Sequence, residues 1–324
     1  MDQQTLFTTL KAGAAAIDAA MEADLAAVES PLLNEVLAHA LFQGGKRIRP
    51  LLVCSSAGLI GKPQAEVVSL AMVFEYLHAA SLLHDDVIDR AELRRGRETA
   101  NRLWGNAAVI LAGDYLHARA MELAAAHGGI ECLHLVSQAV RAMVEGEFLQ
   151  MRVAAERNDS EANYFAILQG KTAALIAAAC EAGIVVAGGT LDQRRALRTY
   201  GTNLGLAFQI VDDLLDYLGD PQETGKAVGN DFQEGKMTLP LLLALTDEKR
   251  GPRLLALLAA SPGARQASFG EAQALLAASG GLAAARAKAE NLIAEAIAAL
   301  KSFPDNTARQ TLTGLACYVL TRNK

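Results

Sequence analysis

The chain has 324 residues, a formal net charge of −6 and a hydrophobic fraction of 52%, with aromatic residues at only 5%. The acidic balance gives no basic footprint, so nucleic acid is not an expected partner. The length permits one large domain or two. Alanine and leucine favour helices, and no region resembles a series of valine- and isoleucine-rich strands, so the sequence predicts an all-α protein.

Hydrophobic periodicity and helix-breaking residues predict the order of the elements. The first amphipathic helix covers residues 5–29. Further helices are predicted at 50–60, 64–89, 102–126, 130–153, 161–187 and 191–218, with Ser160 as an N-cap. They are separated by a basic stretch with two glycines at 41–50, a charged loop at 90–101 and a polar loop at 219–236. The remainder is helical, with breaks near Pro252, Pro262, Gly280 and Pro304.

Cysteine placement and hydropathy indicate the compartment. Four cysteines lie far apart among apolar neighbours, which predicts buried, reduced thiols. They are Cys54, Cys132, Cys180 and Cys317. The N-terminal residues lack the segments of a signal sequence. The most membrane-like run, residues 173–189, is interrupted by Glu181 and three glycines. We expect a buried helix there, no transmembrane segment, and a cytoplasmic protein with at most weak membrane association.

Two acidic motifs are each embedded in apolar sequence. The pattern D-D-x-x-D occurs at residues 85–89 and again at 212–216. In each copy the first and last aspartates are four positions apart, so they share one face of a helix, one turn apart. Carboxylates at that spacing repel each other, and in apolar surroundings they require a cation.

The type of ligand indicates a hard metal ion. The candidate ligands are carboxylate oxygens, with no histidine or cysteine at metal spacing, which favours Mg²⁺. Mg²⁺ usually takes one or two carboxylates and completes its coordination with water and substrate phosphates. Two such helix ends would bind a diphosphate through bridging ions. The alternative for either motif alone is a solvated surface face. An EF-hand is excluded because its loop pattern and glycine are missing.

Candidate phosphate-binding cations lie beside these motifs or at the starts of apolar helices, although any one of them alone would be read as a surface charge. They are Lys46, Arg47 and Arg49 in GGKRIRP, Arg94 and Arg95 after the first motif, Lys171 with Thr172 in GKTAALI, and Lys226 and Lys236 in the polar loop. Arg contacts phosphate through two parallel hydrogen bonds, whereas Lys acts as a point charge. Two basic groups suggest two phosphorylated substrates, only one of which needs the metal. The GKT sequence is not a P-loop, because Phe165 replaces the required glycine.

Seven segments of the sequence resemble the motifs of a known family. GGKRIRP, HDDVIDRAELRRG, GDYLHARA, EGEFLQ, GKTAALI, FQIVDDLLDY and DFQEGKMTLP occur in the order and spacing of the trans-isoprenyl diphosphate synthases. Within that family the chain is most similar to the long-chain polyprenyl (octaprenyl) diphosphate synthases that make quinone side chains. The resemblance implies an all-α, isoprenoid-synthase-type helical bundle around a deep central cavity. It also implies a single domain over residues 1–324 and a homodimer.

The same resemblance implies a reaction and residue roles. The reaction is a head-to-tail condensation of isopentenyl diphosphate with an allylic diphosphate such as farnesyl diphosphate, with about three Mg²⁺ ions bound beside the allylic diphosphate. The metal ligands would be Asp85, Asp89 and Asp212, supported by Asp213 and Asp216. The allylic diphosphate would be held by Arg94, Lys171, Thr172, Gln209 and Lys226, and isopentenyl diphosphate by Lys46, Arg49, His78 and Arg95. The candidate catalytic residues among these are Asp85, Asp89, Arg94, Lys171 and Asp212.

The expected chemistry requires positive charge and an apolar cavity rather than a general base. Cations neutralise the leaving diphosphate, so the allylic C–O bond can ionise. The carbocation must be protected from water. The proton lost after C–C bond formation goes to the departed diphosphate. His78 is needed only as a diphosphate ligand, and without the family match it would be read as a core residue.

The residues before Asp85 predict the length of the product. Ser81 and Ala80 lie four and five positions earlier, roughly 6 to 8 Å along the helix. Both are small, whereas short-chain relatives carry bulky aromatics at this level. We therefore expect an open tunnel that continues past Leu77 and a long product, with octaprenyl diphosphate as the best estimate.

Other functions fit the sequence less well. A short-chain synthase that makes farnesyl or geranylgeranyl diphosphate is the first alternative. A non-catalytic regulatory subunit of a heteromeric synthase is disfavoured because both aspartate motifs are intact. The second motif, DDLLD, argues against a terpene cyclase. A purely structural helical scaffold leaves two acidic motifs with neighbouring cations unexplained.

Overall fold

The computed structural model describes residues 1–94, 96–156, 158–219 and 228–322. The protein is all-α, which confirms the predicted fold class. Its first helices are α1 Gln3–Leu25, α2 Pro31–Phe42, α3 Ile48–Gly58, α4 Gln64–Ile88, α5 Ala100–Glu156, α6 Glu161–Leu168, α7 Ala174–Val186 and α8 Leu191–Leu218. The later helices are α9 Asn230–Glu234, α10 Leu239–Ala244, α11 Gly251–Leu258, α12 Pro262–Ala267, α13 Phe269–Ala278, α14 Gly281–Ala299 and α15 Thr307–Thr321.

Local sequence signals account for several helix boundaries. The Ser160 hydroxyl accepts the Asn163 backbone N–H at 3.1 Å, which confirms Ser160 as the N-cap of α6. Ser30 caps α2 in the same way, and Pro31 occupies its first position. Helix α5 contains non-helical backbone at Gly105 and Gly129, and the second interruption corresponds to the predicted gap before residue 130.

Three predicted segments differ from the structure. Part of the charged loop at 90–101 forms an antiparallel hairpin of β1 Leu93–Arg94 and β2 Arg97–Glu98. The predicted helix 161–187 contains a π-helix, Gln169–Ala173, between α6 and α7. The polar loop at 219–236 includes the short helix α9, and residues 220–227 lie outside the described part of the chain.

The chain divides into two compact units. The first contains Met1–Val140, Leu175–Arg198 and Lys301–Gly314, and the second contains Arg141–Ala174, Thr199–Leu300 and Leu315–Lys324. Each unit has its own buried core, and the single domain expected over residues 1–324 stays a prediction.

In the first unit, helices α3 and α4 pack together through fully buried side chains. The core includes Leu52, Val53, Leu70, Phe74 and Tyr76. Dense packing of this kind fixes the helix that carries the first acidic motif.

A buried polar contact links further helices of the first unit. The Tyr76 hydroxyl donates to Asp24 at 2.8 Å, and Arg119 of α5 pairs with the same carboxylate. Helices α1, α4 and α5 are therefore connected by charge as well as by apolar packing.

In the second unit, α10 packs closely on α14. A Cβ atom on Gly281 would lie 2.5 Å from the Pro240 carbonyl oxygen, so this crossing requires glycine. The end of α8 is fixed by Tyr217, whose hydroxyl bonds Thr238 at 3.0 Å and whose carbonyl accepts from Gln273 at 2.6 Å. These contacts hold the helix that carries the second acidic motif.

The cysteines are free thiols, but the burial prediction was wrong for one of them. Cys54, Cys132 and Cys180 are buried, whereas Cys317 is exposed on α15. Burial raises the pKa of Cys132 to about 11, so its thiol stays protonated at neutral pH. The apolar neighbours of Cys317 in sequence occupy the other face of its helix, which the local pattern did not reveal.

Among the described residues, two helical stretches are long and apolar enough to cross a membrane, Gln64–Ile88 and Glu161–Val186. Within the protein, 67% of the apolar window of the first and 56% of that of the second is buried. That burial agrees with the predicted core helix around residues 173–189.

We predict that Gly183→Ala destabilises the first unit. A Cβ atom there would lie 2.3 Å from the Val53 carbonyl oxygen, so α7 and α3 must separate, at a cost of about 1–3 kcal/mol. The control is Gly270→Ala on α13, where a Cβ meets nothing within 4 Å and should be neutral or stabilising. Chemical denaturation measures both. Equal stabilities for the two variants would contradict the close contact.

Candidate active site

The first acidic motif lies at the C-terminal end of α4. Asp89 caps the helix, and its backbone N–H donates to the Asp85 carbonyl oxygen at 2.8 Å. Asp85 is half-buried and Asp89 is exposed, whereas Asp86 between them is 4% exposed. The two carboxylates that share a helix face are therefore the accessible ones, as the spacing predicts.

Arg94 neutralises the buried carboxylate of this motif. Its Nε and Nη2 atoms donate to Asp86 Oδ1 at 2.9 and 2.7 Å. The hairpin returns Arg94 to the end of α4, and the left-handed backbone of Arg90 begins that reversal. The Thr99 hydroxyl closes it by donating to the Ala91 carbonyl oxygen at 2.7 Å. Arg94, predicted as a diphosphate ligand, thus has a carboxylate partner within the motif, and Arg95 lies outside the described residues.

The three cations of GGKRIRP occupy different environments. Lys46 is exposed and Arg49 is half-buried at the start of α3. Within the described part of the chain, the buried Nε of Arg49 has no hydrogen-bond partner, and burial lowers the pKa of its guanidinium. Arg47 is 5% exposed and pairs with Asp18 and Glu75. Sequence reasoning grouped Arg47 with Lys46 and Arg49 as a candidate cation but assigned it no substrate, and the structure shows that it is buried in ion pairs.

The predicted chain-length residues differ in exposure along α4. Leu77 and Ala80 are fully buried, at 1% and 0% exposure. Ser81 is half-buried, and its hydroxyl donates to the carbonyl oxygen of the half-buried His78 at 2.9 Å. On this helix, Ser81 is the chain-length candidate with accessible surface next to the acidic motif. The tunnel past Leu77 stays a prediction.

The second acidic motif lies near the end of α8 and contains a buried aspartate. Asp213 is 2% exposed and accepts hydrogen bonds from the Tyr164 hydroxyl at 2.6 Å and from Gln209 Nε2 at 3.1 Å. Lys236 lies 3.8 Å away. Burial raises the pKa of Asp213 to about 6, although Lys236 and Tyr164 act in the opposite direction.

A further acidic residue faces this motif. Asp216 accepts backbone N–H groups from Asn230 at 3.2 Å and Asp231 at 2.9 Å, at the start of α9. Burial raises the pKa of the Asp216 carboxyl, and the charge of Asp231 raises it further. Lys236 pairs with Asp231 at 3.1 Å. Sequence reasoning did not single out Asp231. The available signal was its position five residues before Lys236.

Asp212, the exposed aspartate of the second motif, is paired with an arginine from the far end of the chain. Arg322 Nη2 lies 3.2 Å from Asp212 Oδ1, and its guanidinium stacks over the Phe208 ring at 3.9 Å. Burial lowers the pKa of Arg322, and Asp212 counteracts part of that effect. Sequence reasoning did not single out Arg322.

The π-helix carries two predicted residues, Lys171 and Thr172, and places the second beside Gln209 of α8. The Lys171 ammonium contacts Glu147 at 2.6 Å and Gln150 at 2.9 Å. The Thr172 hydroxyl lies 3.5 Å from Gln209 Oε1, so Gln209 joins Thr172 to the second acidic motif. π-helical turns often occur at functional sites, because they change the direction of side chains. Lys226, assigned to the same substrate group, lies outside the described residues.

The donor atoms fit a hard cation that is completed by another ligand. Among the described residues, no three acidic, histidine or cysteine side chains converge to hold a metal by themselves. Asp85, Asp89 and Asp212 are instead half-buried or exposed, and each lies next to an aspartate that is buried and hydrogen-bonded, Asp86 or Asp213, or ends the helix that carries it. This arrangement suits Mg²⁺, which takes few protein ligands and fills its shell with phosphate and water.

Comparison with known proteins agrees with this geometry. The polyprenyl synthetase family model matches residues 30–276. The octaprenyl diphosphate synthase of Escherichia coli is 38% identical over 293 residues, covering 90% of this chain and 91% of that protein. The nonaprenyl diphosphate synthase of Mycobacterium tuberculosis is 38% identical over 318 residues, covering 97% and 93%.

A solved structure extends the similarity to three dimensions. The polyprenyl synthase of Caulobacter crescentus, complexed with calcium and isoprenyl diphosphate, has a TM-score of 0.88 and 40% identity, covering 98% of this chain and 97% of that one. That relative binds a divalent cation and an isoprenyl diphosphate. The fold is thus the all-α isoprenoid-synthase fold. The chain belongs to the polyprenyl synthetase family and is a prenyltransferase that elongates trans-prenyl chains.

Proposed function

We propose that this prenyltransferase condenses isopentenyl diphosphate with an allylic diphosphate, farnesyl diphosphate as primer, to a long-chain product, octaprenyl diphosphate, for quinone side chains. The carrying observation is that each D-D-x-x-D motif combines more exposed aspartates with a buried one that is held by dedicated hydrogen-bond donors. The 38% identity to octaprenyl and nonaprenyl synthases supports the long product.

Asp85, Asp89 and Asp212 would hold about three Mg²⁺ ions together with the diphosphate. Bound there, the metal supplies positive charge that lets the diphosphate leave. Asp213 and Asp216 support Asp212, because their hydrogen bonds fix the end of α8.

Separate cations serve the two substrates in this proposal. Arg94, Lys171, Thr172, Gln209 and Lys226 hold the allylic diphosphate, and Lys46, Arg49, His78 and Arg95 hold isopentenyl diphosphate. For the first group, the support is the placement of Lys171 and Thr172 on one π-helical turn beside Gln209. For the second, it is the unsatisfied Nε of the half-buried Arg49. A diphosphate oxygen would satisfy that donor.

The residues account for the remaining steps without a general base. Lys171 presents a point charge to the developing diphosphate, and apolar side chains such as Leu77 and Ala80 exclude water from the carbocation. After the allylic C–O bond has ionised, the double bond of isopentenyl diphosphate attacks C1 of the allylic cation and forms the new C–C bond. The tertiary cation then loses a proton to the released diphosphate, which restores the double bond.

The assembly and compartment belong to the same proposal. The first unit's part of α5 exposes Leu103, Ile110 and Leu111, an apolar surface suited to a second copy of the chain. We therefore expect a homodimer. It would be cytoplasmic, with weak membrane association for release of the apolar product.

A short-chain product is the second candidate. The full burial of Ala80 and Leu77 favours it, because a closed wall at this level limits chain growth. Product size separates the two candidates directly.

The decisive assay incubates the protein with radiolabelled isopentenyl diphosphate, farnesyl diphosphate and Mg²⁺, and sizes the dephosphorylated products by chromatography. We expect a ladder that ends at octaprenol.

In the same assay, Asp85→Asn and Asp212→Asn should each lower the rate about 10²- to 10³-fold, because charge at the leaving diphosphate is lost. The exposed Asp192→Asn is the matched control and should stay within about twofold of wild type.

Other outcomes of this assay are informative. A ladder that ends at farnesol or geranylgeraniol favours the short-chain synthase. No incorporation by folded protein favours the regulatory-subunit alternative. Full activity in Asp212→Asn would contradict the metal assignment.

We predict that Ser81→Phe shortens the product, because Ser81 is half-buried and lies one turn before Asp85. Ala80→Phe should act in the same direction but also overpack a fully buried position. The matched control is Leu82→Phe, which places the same ring about 100° around the helix. Chain length is read from the product ladder, and an unchanged ladder in Ser81→Phe and Ala80→Phe would refute the tunnel assignment.

We predict that Asp213→Asn stabilises the protein at pH 8 by about 1–3 kcal/mol. Burial raises the pKa of Asp213 to about 6 from 3.8, so the folded state binds more protons than the unfolded state between these values. Stability contributed by this group therefore falls as pH rises from about 4 to 6, and the advantage of Asn should shrink towards pH 4.

Tyr164→Phe is the control for this prediction, because it should lower the stability at pH 8 where Asp213→Asn raises it. It removes the donor to Asp213, so its loss of stability should be larger at pH 8 than at pH 4. Denaturation curves across this range measure both variants. An advantage of Asp213→Asn that does not change with pH would contradict the prediction.

A further inference from the structure

Arg47 is the buried member of the GGKRIRP cations and has an unusual backbone. It precedes α3, and its backbone angles, φ 49° and ψ 36°, lie in the left-handed region that residues other than glycine rarely adopt. Such a conformation persists only where surrounding contacts impose it.

Three charged or polar partners impose it here. Arg47 Nε donates to Asp18 Oδ1 of α1 at 2.7 Å, and Nη1 donates to Glu75 Oε1 of α4 at 2.6 Å. Nη2 donates to the carbonyl oxygen of Leu41 at the end of α2. One guanidinium therefore joins α1, α2 and α4 to the start of α3. The planar donor group of Arg suits this task, whereas Lys offers a single point charge.

The neighbours of Arg47 are the two cations assigned to isopentenyl diphosphate. Lys46 precedes it and is exposed, and Arg49 follows within the first turn of α3. The position of both depends on the backbone that Arg47 fixes. Arg47 itself is too buried to contact a substrate.

Arg47 also changes the charge available to these neighbours. The Glu75 carboxylate acts electrostatically on Arg49, and Arg47 donates a direct hydrogen bond to the same carboxylate. Lys46, Arg47 and Arg49 carry three positive charges against the two negative charges of Asp18 and Glu75, a formal sum of +1. Without Arg47 the sum is zero, and Glu75 has Arg49 as its remaining nearby cation.

We propose that Arg47 is a positioning residue for the isopentenyl diphosphate site. It holds the loop in its left-handed conformation and neutralises Asp18 and Glu75, so Lys46 and Arg49 remain directed at a diphosphate. This proposal rests on the proposed function, because it uses Lys46 and Arg49 as ligands of that substrate.

The test measures isopentenyl diphosphate binding by calorimetry without Mg²⁺, together with the KM of each substrate. Arg47→Met should weaken isopentenyl diphosphate binding and raise its KM about 10- to 100-fold, with little change in the KM of farnesyl diphosphate. Arg47→Lys keeps the charge but cannot span all three partners, so its effect should be smaller in the same direction.

Arg119→Met is the matched control. Arg119 also pairs with two carboxylates, Asp24 of α1 and Glu122, and it lies outside the proposed substrate contacts. It should lose stability and leave the KM of isopentenyl diphosphate within about twofold. Equal changes in Arg119→Met and Arg47→Met would show a general loss of structure and overturn the proposal.

A compensating variant tests the charge argument. Arg47→Met combined with Glu75→Gln restores the formal sum of +1, and it should recover part of the lost affinity. If Arg47→Met does not fold, Arg47→Lys and the double variant decide the result. If both Arg47→Lys and Arg47→Met bind isopentenyl diphosphate with wild-type affinity, the role of Arg47 is overturned and the proposed function is not. If the wild-type protein neither binds nor consumes isopentenyl diphosphate, the proposed function itself is overturned.

Discussion

Repulsion between closely spaced carboxylates is the constraint on which the site depends. Each acidic helix end places three aspartates within five residues, in largely apolar surroundings. Both ends resolve the repulsion by burying the middle aspartate against dedicated partners, Arg94 for Asp86 and Tyr164 with Gln209 for Asp213. The flanking aspartates keep their accessibility. Two unrelated sets of partners thus produce the same division between one buried carboxylate and two more exposed ones in each motif.

Burying an aspartate in this way makes the folded protein less stable than its apolar packing alone would make it. Burial raises the pKa of Asp213 to about 6, so at neutral pH the folded chain holds a charge that its surroundings disfavour. Asp212 meanwhile has a cation from within the chain, Arg322. Sites that bind multivalent ligands often carry such unfavourable charge, and ligand binding then adds to the stability of the folded state.

Sequence reasoning predicted what depends on local pattern. Helices α4 and α8 follow from leucine-rich periodicity, and Ser160 was recognisable as a cap because its chemistry acts within three residues. Contacts between distant segments were not predictable. Nothing in the sequence indicated what Arg47 contacts, because its partners Asp18 and Glu75 lie on distant helices. Asp231 lies in a stretch that was predicted to be a loop. The exposure of Cys317 depends on helix orientation, which an apolar neighbourhood does not specify.

At the π-helix Gln169–Ala173, the direction of the proposed diphosphate-binding side chains depends on the helical phase. Each residue turns a helix by about 100°, so the extra residue in this turn sets the direction of Lys171 and Thr172 relative to everything that follows. Removing a single residue there would regularise the helix while leaving almost all of the surrounding sequence intact. The lysine would then point away from Glu147, and the threonine away from Gln209. Two homologues with the same motif but different helical phase at this point would thus present different surfaces to a substrate.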